Sequence, residues 1–222
     1  MGVPRPTGTD LRLLPRVWRI VAAVAHPVSE HLRDHPDRLW WNAGYGDAPS
    51  PVFEPHPLID AAIAGLPEGP VLELACGRSG SSLPMAAMGR DVLAVDISDL
   101  ALITGEAARR RLAPRITTVL ADVPSYDPGR GRFALVLATY YWDEAAFRAG
   151  CAAVAPGGLI GWEALARRLD ADAAIARPWA ISLGELGARL PPDIEALDER
   201  TIDAGGRLSP RLLARRHGKV AA

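Results

Sequence analysis

The middle of the chain alternates between short apolar runs and stretches of helical periodicity. Val71–Leu74, Asp91–Ile97, Arg115–Ala121 and Arg132–Ala138 each read as a strand. Their cores are near-continuous apolar runs, the mark of strands covered on both faces. Helical patterns separate them: Ser81–Gly89 after the first, Asp99–Leu112 after the second, Glu144–Val154 after the fourth. Pro156-Gly157-Gly158 then turns into a fifth run, Leu159–Ala164. This alternation predicts an α/β fold around a mainly parallel sheet, with helices on both faces. The last stretch differs. Asp193–Ile202 and Leu208–His217 flank Ala204-Gly205-Gly206-Arg207 and read as an antiparallel C-terminal hairpin.

The first part of the chain has another character. Residues 1–10 are rich in Pro, Gly and Thr and are expected to lack order. Leu11, Leu14, Trp18, Val21 and Val24 then recur at helical spacing, and a second helix is expected from Ser29, as its cap, to about Trp41. Residues 1–39 therefore read as a helical arm, partly disordered, and 40–222 as the main domain. The Leu11–Ala25 stretch fits either a lid over a ligand or a packing or dimerisation element, the second being the plainer account. Trp40, Trp41 and Tyr45, set among Asn42, Gly44 and Gly46, fit a loop better than a core helix. Glu54-Pro55-His56-Pro57 then leads into a helix reaching Ala64.

Length and charge narrow the function. The 222 residues suit one main domain with a sizeable core. A net charge of −1 argues against a protein that grips nucleic acid through its phosphates. Cys76 and Cys151 make no disulfide framework, and the histidines lack metal-site spacing, so no metal is expected. The run Ile20–Ala25 is a poor signal peptide, and no apolar run reaches the length of a membrane span. The expectation is a cytoplasmic protein without membrane partners, a monomer or homodimer.

The candidate chemistry centres on Val71-Leu-Glu73-Leu-Ala75-Cys76-Gly77-Arg78-Ser79-Gly80. Strand, small-residue turn and helix in succession make the ligand crevice of an open parallel sheet. Small residues let backbone approach a ligand, and the helix start offers free N–H groups. Asp96 ends the second strand 23 positions after Glu73, where a carboxylate can accept hydrogen bonds from a ribose diol. The G-x-G-x-x-G pattern of nicotinamide and flavin binders is absent from residues 75–80.

Val-Leu-Glu-Leu-Ala-Cys-Gly followed by Val-Asp-Ile-Ser instead resembles the class I S-adenosylmethionine-dependent methyltransferases. The Glu-Pro-x-Pro lead-in at Glu54–Pro57 and the Trp41…Tyr45 segment resemble the small tellurite-resistance and thiopurine-type members. The resemblance implies a Rossmann-like, mainly parallel seven-stranded sheet with a C-terminal antiparallel hairpin. It also implies S-adenosylmethionine as cofactor. On it, Glu73, Ala75, Cys76, Gly77 and Ser79 form the cofactor turn, and Asp96 with Ile97 takes the ribose. Asp122 and Val123 would read the adenine, Thr139 would border the site, and Trp41 and Tyr45 would close over it, unless those aromatics simply anchor the arm. Two positions depart from the family: Ser79 replaces a glycine of the turn, and Ala134 stands where Asp is usual.

The acceptor side rests on Tyr140, Tyr141, Trp142 and Glu163 at the ends of the fourth and fifth strands. The three aromatics suit a wall for a flat acceptor or a box around a sulfonium, and at least one is expected in the core. The fourth strand lacks the Asn/Asp-Pro-Pro-Tyr/Phe signature of enzymes that methylate base amino groups. The resulting expectation is methyl transfer to a small-molecule acceptor through an S, Se, Te, O or N nucleophile. The alternative is a non-catalytic S-adenosylmethionine- or S-adenosylhomocysteine-binding protein whose N-terminal arm serves a partner. In-line methyl transfer needs alignment more than covalent help, so no catalytic residue is assigned. His56, Asp143 and Glu163 are basic candidates, each more simply structural.

Overall fold

The computed structural model describes residues 27–47, 54–78, 80–104, 115–166 and 180–218. Seven strands form one sheet in the order β3-β2-β1-β4-β5-β9-β8. β1 (Val71–Leu74) pairs in parallel with β2 (Val92–Asp96) on one side and β4 (Phe133–Thr139) on the other. β3 (Ile116–Leu120) and β5 (Val154–Glu163) extend the parallel set outward. β9 (Arg207–Arg216) runs against β5, and β8 (Ile194–Ala204) runs against β9, so β9 alone is antiparallel to the rest. A two-strand pair, β6 (Leu165–Ala166) and β7 (Ala180–Ile181), follows β5. The fold is the mainly parallel α/β sheet that the alternation of runs predicts, with the seven strands and C-terminal hairpin that the resemblance implies.

The continuous apolar runs are explained by which face each residue reaches. In β4, Val136 and Ala138 enter one core with Phe147 and Cys151 of helix α6 (Glu144–Ala153) and Trp162 of β5. Leu135 and Leu137, alternating with them, enter the other core with Leu58, Ile59 and Ala62 of α3 (Leu58–Ile63). Met85 and Ala86 of α4 (Ser82–Ala87) join that second core. Both faces are thus covered, as a parallel sheet requires. α5 is helical over 99–104, and α7 (Glu185–Ala188) sits before the hairpin.

Two expectations about the first helices need correction. The single helix from Ser29 to Trp41 is two: α1 (Glu30–Arg33) and α2 (Pro36–Asp47), broken at Asp34 and His35. Pro36 disfavours helical backbone at His35 and is itself suited to a first helical position. The segment Trp40–Asp47 is not a loop but the body of α2, so position 40 falls inside a helix. Its Gly and Asn content lowers helix propensity, and side-chain bonds to distant elements override this, as described below. The arm segment 1–26, Ser79, residues 105–112 of the expected helix and the stretch 167–179 lie outside the described residues.

The fifth strand begins earlier than Leu159. Its register slips between Phe133↔Val154 and Leu135↔Leu159, and Pro156-Gly157-Gly158 fill the irregularity. A Cβ on Gly158 would lie 2.8 Å from the carbonyl of Ala155, so glycine is needed there. Further along, a Cβ on Gly161 would meet Leu58 Cδ2 at 3.0 Å and Leu137 Cδ1 at 3.2 Å. Gly161→Ala is expected to cost about 1–3 kcal/mol by overpacking, read as a lower urea midpoint with unchanged m.

Candidate functional site

The carboxyl ends of β1, β2 and β4 open into one cavity of about 500 Å³, a size common for small-ligand sites. Its floor is the turn after β1. Ala75, Cys76, Gly77 and Arg78 line it, with Asp96 and Ile97 from the end of β2, Asp122 and Val123 after β3, and Thr139, Tyr140 and Tyr141 after β4. Trp41 and Tyr45 of α2 line the opposite side. Twelve positions singled out from the sequence therefore share one space.

Asp96 organises the floor. Its Oδ2 accepts from the Gly77 N–H at 2.7 Å and its Oδ1 from the Ser98 N–H at 2.8 Å. The carboxylate is only 6% exposed, and it ties the turn after β1 to the loop after β2. Gly77 is left-handed, φ 48°, and a Cβ there would lie 2.2 Å from the Tyr45 hydroxyl. Ala75 is also left-handed, φ 50°. That conformation strains an L-residue and is one that glycine adopts freely.

α2 is held over this floor by side chains. Arg38 Nε and Asn42 Nδ2 donate to Asp99 Oδ1 at 2.8 and 2.7 Å. Asn42 Oδ1 accepts from the Ser98 hydroxyl at 2.6 Å. Arg78 donates to the Tyr45 carbonyl at 2.6 Å and to the Thr104 hydroxyl at 3.0 Å, with its guanidinium 5.1 Å from the centre of the Tyr45 ring. Burial alone would raise the Asp99 pKa; the bonds from Arg38 and Asn42 outweigh it and hold it below the ordinary value.

A second cluster stands on the β5 side. His56 lines the cavity with Glu54, Pro55 and Pro57. Its Nδ1 accepts from the Leu58 N–H at 3.2 Å, and its Nε2 lies 3.3 Å from Glu163 Oε2. Glu163 is buried behind it, accepting from the Ser209 hydroxyl at 2.6 Å and from Arg211 Nε. Burial would raise the Glu163 pKa, and the bonds from His56, Ser209 and Arg211 more than reverse this. Tyr140 meets the His56 ring edge-on at 5.2 Å; its φ is 56° and it is 47% exposed. Burial, then Asp143 and Asp122, push the Tyr141 hydroxyl well above its ordinary pKa.

Three expected site residues stand apart from the cavity wall. Glu73 is buried beneath the turn, accepting from the Ser82 hydroxyl. Trp142 packs on Phe147 at 5.4 Å and belongs to the core, the fate expected for one of the three aromatics. Glu163 reaches the cavity only through His56. Asp143 caps α6 by accepting from the Ala146 N–H at 2.9 Å. Cys151 is buried, its thiol pushed up to about 12 by burial. Asp37, Glu54, Arg78 and Pro124 line the cavity without having been singled out as site residues. Arg78 follows Gly77 in the turn, so its position was the one available signal. Among the described residues no cluster could hold a metal ion, and no helix is long and apolar enough to cross a membrane.

Glu163, with its pKa lowered in the fold, adds stability above its unfolded value, here 4.5, and that stability is lost as pH falls through the lower folded value. Wild type should therefore lose more stability on acidification below pH 4.5 than Glu163→Gln does, as followed by chemical denaturation at stepped pH. Equal slopes would contradict the cluster's role.

Residues 71–158 match the family described as "Methyltransferase domain". A structure reported with conversion of a disulfide bond into a thioacetal group during echinomycin biosynthesis superposes with a TM-score of 0.61 at 20% identity, covering 83% of this chain and 94% of that one. TehB from Haemophilus influenzae superposes at 0.60 with 18% identity, covering 72% and 61%. The Burkholderia thailandensis 1,6-didemethyltoxoflavin-N1-methyltransferase, solved with S-adenosylhomocysteine, gives 0.59 at 18% identity, covering 82% and 84%. No curated protein matches the chain by sequence. Residues 71–158 thus match a methyltransferase domain, and the fold around them is shared with TehB and with the toxoflavin N1-methyltransferase.

Proposed function

We propose that the protein methylates a small-molecule acceptor inside the cavity between α2 and the strand ends. The observation that carries this reading is the continuity of one cavity. Gly77, Asp96 and Asp122 line it together with His56 and Tyr140. The cradle at Gly77, where any Cβ would strike Tyr45, and the carboxylate beneath it suit the nucleoside cofactor. Asp96 with Ile97 would hold the ribose, Asp122 and Val123 the adenine, and Ala75, Cys76 and Gly77 would border the methionine portion. Trp41 and Tyr45 would cover it. When bound, the cofactor supplies an electrophilic methyl group on a sulfonium.

The chain's own contribution is alignment and exclusion of water. Trp41, Tyr140 and Tyr141 line the same space, and aromatic rings favour a positive centre. The basic groups closest to the acceptor side are already committed. His56 is bonded at Nδ1 and set against Glu163 at Nε2, and Asp143 is a helix cap. Acceptors whose nucleophile carries an available lone pair at neutral pH fit this arrangement without a general base.

A panel of thiols, selenite, tellurite, aromatic amines and phenols, scored by mass spectrometry for methylated product and S-adenosylhomocysteine, tests the reading. Turnover with at least one acceptor is the expected result. A protein that binds cofactor and forms no product with any of them would instead be the non-catalytic binder. Asp96→Ala is expected to weaken S-adenosylhomocysteine binding at least about tenfold, because it removes both the diol's acceptor and the tie to Gly77. Calorimetry showing unchanged affinity would remove Asp96 from the site.

A further inference from the structure

Side chains alternate across a strand, so Arg207, Ser209 and Arg211 of β9 share one face. Ser209 and Arg211 both bond Glu163 behind His56. Arg207, next along that face toward the hairpin tip, places its guanidinium carbon 5.4 Å from the centre of the Tyr140 ring. Tyr140 lines the cavity and has His56 against it edge-on. The hairpin thus brings an arginine against a ring that lines the cavity.

The other arginines of the hairpin are committed. Arg200 pairs with Asp198, Arg211 with Glu163 and Arg216 with Asp193, and Arg215 donates to the carbonyls of Gly157 and Gly65. The Arg207 side chain is exposed and has neither hydrogen bond nor ion pair among the described residues; it lies over the Tyr140 ring. A guanidinium over an aromatic ring is attracted by the ring's π face and keeps its N–H edge for a planar oxyanion, which it can meet with two parallel hydrogen bonds. Tyr140, at φ 56°, presents that ring.

We infer that Arg207 is a specificity-determining residue that anchors a carboxylate on the acceptor. The inference rests on the small-molecule reading of the same cavity and narrows it to acceptors bearing an acidic group beyond the nucleophile. It makes the C-terminal hairpin part of the acceptor site. Ser209 and Arg211 hold its root through Glu163, and Arg207 reads the substrate at its tip.

The test uses 4-mercaptobenzoate and 4-mercaptobenzamide, which share a nucleophile and differ in the charge at the far end. Binding of each is measured calorimetrically to full-length protein saturated with S-adenosylhomocysteine. The acid is expected to bind at least about tenfold tighter than the amide in wild type, as a charge-assisted double hydrogen bond warrants. The ratio should fall close to one in Arg207→Gln and be partly kept in Arg207→Lys, with S-adenosylhomocysteine affinity equal in all three. Equal binding of acid and amide in wild type, or a ratio that survives Arg207→Gln, overturns the assignment. Should S-adenosylhomocysteine itself fail to bind, the cofactor reading falls in that first titration. The two probes are then compared on the ligand-free protein, where the same ratios decide the role of Arg207.

Discussion

One carboxylate holds the floor of the site together. Asp96 accepts from the backbone of Gly77 with one oxygen and of Ser98 with the other, so two separate strand ends are fixed by a single buried side chain. Hydrogen bonds to an ionised acceptor are stronger than neutral ones and cost more to leave unmade when buried. The left-handed backbone at Ala75 and Gly77 is compatible with this tie, and Gly77 leaves room for the Tyr45 hydroxyl above it. Strain at such positions persists only where surrounding contacts over-determine the backbone.

Two elements complete the cavity from opposite ends of the chain. α2 lies across the floor through Arg38, Asn42 and Tyr45, whose partners are Asp99, Ser98 and Arg78. The C-terminal hairpin supports the other side from behind, Ser209 and Arg211 holding Glu163, which in turn backs His56 in the cavity wall. The parallel core supplies rigid strand ends. The outer elements decide what space lies over them.

The sheet was legible because its strands are buried on both faces. Val71–Leu74 and Phe133–Ala138 read as apolar runs in any environment. The turn was legible because its chemistry is local, residues 73–80 followed by Asp96. α2 was not: its glycines and Asn42 point to a loop, and the bonds that make it a helix reach partners 56 to 61 positions away. The cluster of aromatics at 140–142 could not be sorted either, since the left-handed turn at Tyr140 breaks the alternation that would assign faces. His56 against Glu163 and Arg207 over Tyr140 join segments whose proximity only the completed sheet order creates.

Every role proposed for the cavity requires its floor to hold a nucleoside cofactor. Calorimetric titration of the folded protein with S-adenosylhomocysteine, after mass spectrometry has shown it free of carried-over cofactor, addresses this directly. Saturable binding of one ligand per chain in the micromolar range or tighter is the predicted result. A folded, ligand-free protein that takes up none would contradict it and leave the methyltransferase fold without its cofactor.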